Sequence, residues 1–160
     1  MAKKEPLDRS VREFIWNIIE IHSQLEEIHK TWALLLGITE PQWLILMAIS
    51  ELDEGRGVAG IAVANKLRIH PAFVTNQTKK LEAMEFLSRE PSLDDARYVQ
   101  MSLTQKASTE IENLSIKRLA LNSTMFDGLD EAGLEYLNKR LRSIAKNSLL
   151  ANQKLSIGVL

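Results

Sequence analysis

From about Asp8 to Leu36, apolar residues recur at helical spacing: Val11, Phe14, Ile15, Ile18, Leu25, Ile28, Trp32, Leu35 and Leu36. Glu20, Gln24, Glu26 and Glu27 fall mostly between them. A helix of roughly 29 residues at 1.5 Å per residue runs about 43 Å, longer than a small domain is wide. Part of its stripe is therefore expected to pack on another subunit. A chain of 160 residues has room for one small domain and such a dimerisation element, not for two large domains.

Gly37 ends that helix, and "TEPQW" then reads as a capping box, with Thr39 and Gln42 exchanging side-chain and backbone bonds. The second helix, to about Leu52, is apolar nearly all round (Trp43, Leu44, Ile45, Leu46, Met47, Ile49), the mark of a helix buried between other elements. "DEGRG" is a turn, Val58 to Leu67 a short helix, and "RIH" a tight connection. Pro71 opens the next helix, where a missing N–H costs nothing. Two short helices joined this way predict a helix-turn-helix. In the second of them, Val74, Thr78 and Leu81 share one face, leaving Ala72, Phe73, Thr75, Asn76, Lys79 and Lys80 pointing away.

After Met84 the period changes: "FLSRE", "PSLDDAR" and "YVQMSL" read as strand, charged turn and strand. Val99, Met101 and Leu103 alternate there with Tyr98, Gln100 and Ser102. Thr104 is a plausible N-cap for a helix continuing to about Met125. Asp130 caps a last helix with Leu134, Leu137, Leu141, Ile144 and Leu149 as its stripe, and the apolar tail "LSIGVL" has no assigned partner. The fold class is mainly α: a winged helix-turn-helix with a short β-hairpin wing, between long N- and C-terminal dimerisation helices. The parts are residues 1–36, 37–103 (the winged domain) and 104–160.

The net charge of −1 announces no nucleic-acid binder, but its distribution is uneven. Residues 1–54 hold ten acids against five Lys or Arg, whereas residues 55–81 hold Arg56, Lys66, Arg68, Lys79 and Lys80 and no acid. That composition suits a helix entering a DNA major groove: Asn bonds two atoms of adenine, Thr donates or accepts, small apolar groups meet the thymine methyl, and Lys neutralises phosphate. With no cysteine, disulfides and thiolate metal sites are excluded. No apolar run approaches a membrane span and the start lacks a signal-peptide core, so a cytoplasmic protein without a membrane partner is expected. No phosphate loop, nucleophile elbow or H-E-x-x-H is present, so no enzyme and no cofactor are expected.

From "GITEPQWLILMAI" through "NKLRIHPAFVTNQTKKLE" to "SLDDARYVQMSLTQKA", the chain resembles MarR-type transcriptional regulators. The resemblance implies a recognition helix from Pro71 to Met84 and a wing in which Asp95 orients Arg97 for the DNA minor groove. The expected DNA-directed set is Arg68, His70, Pro71, Ala72, Phe73, Thr75, Asn76, Lys79, Lys80, Asp95 and Arg97. For Asp95 and Arg97 the plainer reading is a stabilised turn, for Phe73 packing on a neighbouring helix, and for His70 an N-cap rather than a phosphate contact. Three positions depart from the family pattern: Ala96 in place of a second arginine, Glu85 in place of a glycine after the recognition helix, and Ala107 in place of another glycine.

The resemblance further implies a homodimer on a double-stranded, pseudo-palindromic operator, released as a repressor by a small-molecule effector such as an aromatic acid, a phenol or an acyl-CoA. His22, Leu25, His29 and Trp32 share a face of the first helix and form a candidate ligand-binding stripe, with Trp16 and Trp43 as weaker members. The plainer reading of that stripe is core or dimer interface. Two histidines two turns apart are too far to share one ion, so no metal site is expected. The rival class is a winged-helix protein-interaction module without DNA binding, which should scatter acids over the recognition face.

Overall fold

The computed structural model describes residues 5–92 and 99–159, in two compact units divided between Asn113 and Leu114. The first unit holds α1 (Glu5–Leu35), α2 (Glu40–Leu52), β1 (Val58–Ala59), α3 (Gly60–Leu67), α4 (Pro71–Ala83), β2 (Leu87–Pro91), β3 (Val99–Leu103) and α5 (Gln105–Asn113). The second holds α6 (Ser115–Met125) and α7 (Glu131–Ser156).

α1 is one helix of 31 residues, as its stripe predicts. It stops where Gly37 takes φ 67°, a left-handed conformation suited to glycine, and Ile38 N–H closes back onto the Ala33 carbonyl at 3.0 Å. The capping box of α2 forms, with Thr39 N–H donating to Gln42 Oε1 at 2.9 Å. Ile45, Leu46 and Ile49 are fully buried, and α2 packs on α1, α3, α4 and β3, so it is the scaffold on which the unit is built. Asp130 caps α7 as expected, accepting from Gly133 N–H at 2.8 Å, and Thr104 caps α5, accepting from Ala107 N–H at 3.2 Å.

Two expectations are corrected. Val58 and Ala59 are not helical: they form a short strand paired with β3 (Val58 with Met101, Ala59 with Gln100), so the sheet has three antiparallel strands in the order β1-β3-β2. Burying Val58 in this sheet fixes the start of α3 at Gly60. The expected helix from Thr104 to Met125 is two helices, interrupted at Leu114, where the two units divide. The two expected strands pair, with Leu87 opposite Leu103, and Pro91, expected in the turn, extends β2 opposite Val99; residues 93–98 of the expected turn and second strand lie outside the described residues. No single described helix is long and apolar enough to cross a membrane. The end of the chain remains exposed at Leu155, Ile157 and Val159.

Candidate nucleic-acid interface

The turn between α3 and α4 is set by two backbone devices. Arg68 takes φ 57° and ψ 39°, the left-handed conformation that commonly ends a helix, and its N–H returns to the Ala64 carbonyl. His70 is then the N-cap of α4, its Nδ1 accepting from Ala72 N–H at 3.2 Å. That bond needs an unprotonated Nδ1, so the ring hydrogen of the neutral tautomer is on Nε2. The capping reading of His70 thus describes its local geometry.

α4 is held down by Val74, Thr78 and Leu81, all buried. Thr78 pays no polar penalty there, because its hydroxyl donates to the Thr75 carbonyl at 3.2 Å. The opposite face carries Pro71, Ala72, Phe73, Thr75, Asn76, Lys79 and Lys80, every one exposed. Phe73 is 41% exposed, so it belongs to this outward face rather than to the core. Lys79 and Lys80 form no ion pair with a described residue, and Arg68, in the turn before α4, is exposed. Lys66, by contrast, is tied to Glu51 at 2.6 Å and links α3 to α2. Asp95 and Arg97, the expected wing pair, lie outside the described residues.

Three supports of this surface lie outside the expected DNA-directed set. Asp53 organises the turn before β1: its Oδ1 accepts from Gly55 N–H at 2.8 Å and Gly57 N–H at 2.9 Å. Burial pushes the Asp53 carboxyl up, but these bonds, with others from Ser102 and Arg56, outweigh it and hold the carboxyl below its usual range. Arg89 on β2 reaches Glu82 on α4 at 3.4 Å. Beyond α4, Glu85 takes φ 63° in the position where the family pattern has glycine, and Thr104 donates to its carbonyl at 2.6 Å. The Asp-x-Gly-x-Gly spacing was the available signal for the first; the other two depend on partners distant in sequence.

The ligand stripe is spread over different environments. Trp32 is buried, Leu25 and His29 are half-buried, and His22 is exposed. Trp16 is 68% exposed, whereas Trp43 is 2% exposed within the core. Burial lowers the His29 pKa, against a smaller opposing effect of Glu40. An open groove of about 500 Å³ lies elsewhere, where Leu35 and Leu36 face Met84, Phe86 and Lys106. Among the described residues no group of three His, Asp or Glu is placed to hold a metal ion.

A capped helix, a left-handed turn, an outward-facing second helix and a three-stranded sheet behind it define a winged helix-turn-helix protein. Residues 38–99, the winged segment, match the model of the MarR family. An uncharacterized HTH-type transcriptional regulator of Bacillus subtilis (strain 168), YhbI, is 31% identical over 84 residues, which are 52% of this chain and 54% of that protein. The chain thus spans about half the length of this curated relative. In fold it resembles MepR of S. aureus in its DNA complex, with a TM-score of 0.70 at 16% identity, covering 84% of this chain and 95% of that one. It also resembles CouR from Rhodococcus jostii RHA1 bound to p-coumaroyl-CoA, with a TM-score of 0.72 at 16% identity, covering 82% and 91%.

Proposed function

We propose that this protein is a homodimeric, ligand-responsive DNA-binding regulator that acts as a repressor in the cytoplasm. The observation that carries the proposal is the outward face of α4: seven exposed side chains with two lysines and no acid, from Pro71 to Lys80. An acid-free surface of this kind suits a phosphate-lined groove, with Thr75 and Asn76 as base-reading groups and Lys79 and Lys80 as phosphate contacts. Arg68, His70, Pro71, Ala72 and Phe73 extend this surface, and Asp95 with Arg97 is the proposed minor-groove element. The DNA complex of MepR supports the reading at the level of fold.

Dimerisation is supported by apolar side chains left exposed on α1 and on α7. α1 exposes Val11, Phe14, Ile15 and Ile18, and α7 exposes Leu137, Leu141, Ile144 and Leu149. Contiguous apolar stripes of this size mark interaction surfaces. Residues 1–36 and 104–160 are accordingly proposed as dimerisation regions flanking a DNA-binding part, 37–103. For the effector, the acyl-CoA complex of CouR supports a small aromatic acid, phenol or acyl-CoA, with His22, Leu25, His29, Trp32, Trp16 and Trp43 as proposed contacts.

The test is DNA binding by Asn76→Ala and Arg97→Ala. The first should relax base preference at its position, at about 1 to 3 kcal/mol for a good base contact, and the second should weaken binding. Unchanged operator binding by both variants contradicts the contact assignment.

A further inference from the structure

α4 is 13 residues long and sinks only Val74, Thr78 and Leu81. So narrow a footprint fixes the helix's depth better than its tilt, so its pose depends on how its ends are fastened. At the far end the chain turns into β2 through Glu85, at φ 63° a conformation that disfavours any residue with a Cβ. Residues distant in sequence hold that turn. Lys106 Nζ donates to the Met84 carbonyl at 2.9 Å, lies 3.8 Å from the Glu85 carboxylate and sits 5.1 Å from the centre of the buried Phe86 ring. Thr104 fastens the Glu85 carbonyl from the same segment. One ammonium thus meets three successive residues of the turn, by hydrogen bond, ion pair and cation–π contact.

The geometry points to Lys106 as a positioning residue for DNA reading: from the first turn of α5 it holds the left-handed exit of α4 and so sets the pose of the recognition face without touching DNA. The consequence for DNA rests on the function proposed above, but the fastening itself does not.

Lys106→Met keeps a flexible stem over Phe86 and removes the charge. Hydrogen exchange of the Met84, Glu85 and Phe86 amides, which donate to the carbonyls of Lys80, Glu82 and Leu81, reads the joint directly. Lys106→Met is expected to speed their exchange about tenfold while leaving α2 amides unchanged. Adding Glu85→Gly, which removes the left-handed penalty, should restore most of the protection. Unchanged rates, an equal acceleration across α2, or no rescue by glycine would overturn the assignment. In DNA titrations, Lys106→Met should lower affinity about fivefold with the salt slope intact; a slope flattened by about 0.9 would make Lys106 a phosphate contact instead and overturn its positioning role. Absence of DNA binding by the unsubstituted protein contradicts the proposed function, and the exchange rates still decide the role of Lys106 on α4.

Discussion

α2 and α4 are both 13 residues long, both begin with proline in the first turn behind a capping residue, and both sit in the same unit. They use that common start for opposite ends. α2 buries Gln42, Trp43, Ile45, Leu46, Ala48 and Ile49, whereas α4 buries Val74, Thr78 and Leu81, half-buries Gln77 and leaves the rest exposed. Helix formation is therefore not what separates the buried helix from the outward-facing one. The difference is how many faces the sequence leaves apolar, and hence how much of each helix's position is fixed by packing rather than by its ends.

The largest effect that sharpens this contrast is a core truncation. Ile49→Ala, at a fully buried position of α2, should lose about 2 to 5 kcal/mol of stability in urea unfolding. On α4 the outward Asn76→Ala should stay within about 0.5 kcal/mol of the parent in the same experiment, while costing about 1 to 3 kcal/mol of base discrimination. A stability loss at Asn76 comparable to that at Ile49 would erase the distinction between the helices. Lys79→Ala should act more weakly and without regard to sequence, lowering affinity on every duplex and reducing the salt slope by about 1. A sequence-dependent loss would reassign Lys79 to base reading.

The smallest effects are on pH dependence. His29 has its pKa lowered by burial in the folded protein, so between that value and the ordinary imidazole range the unfolded chain binds more protons. Its stabilising contribution is present above the unfolded pKa and is lost as pH falls through that window. His29→Gln should flatten the acid limb of the stability profile below about pH 6.5. Asp53 also loses its contribution on acidification, but only as pH falls below the usual Asp range through its lowered folded pKa. Asp53→Asn should therefore leave the profile near pH 6 unchanged and alter it only at lower pH. A shift near neutrality would show that Asp53 is not held by the turn amides.

The sequence and the structure agree most closely where the signal is local. The Thr39–Gln42 box, the Asp130 cap, the proline start of α4 and the split between Val74, Thr78, Leu81 and the outward set all depend on residues within two turns of each other. β1 is different: Val58 and Ala59 look like the first turn of a helix until Met101 and Gln100, more than forty positions away, supply the strand they pair with. The exit of α4 has the same character. Glu85 stood out as a residue in a glycine's place, yet what holds it, Thr104 and Lys106, lies across the hairpin. The ligand stripe illustrates a further ambiguity, since helical spacing brought His22 and Trp32 onto one face but did not distinguish exposed from buried.

In the function proposed above, the outward face of α4 reads DNA as one half of a two-fold dimer. Selection of duplexes from a random-sequence pool by the purified protein tests it most directly. The expected result is enrichment of a pseudo-palindrome whose half-sites lie about one helical turn, roughly 10 bp, apart, bound more weakly as salt rises. Enrichment of no sequence, or of a site whose preference is unchanged by Asn76→Ala, would contradict it.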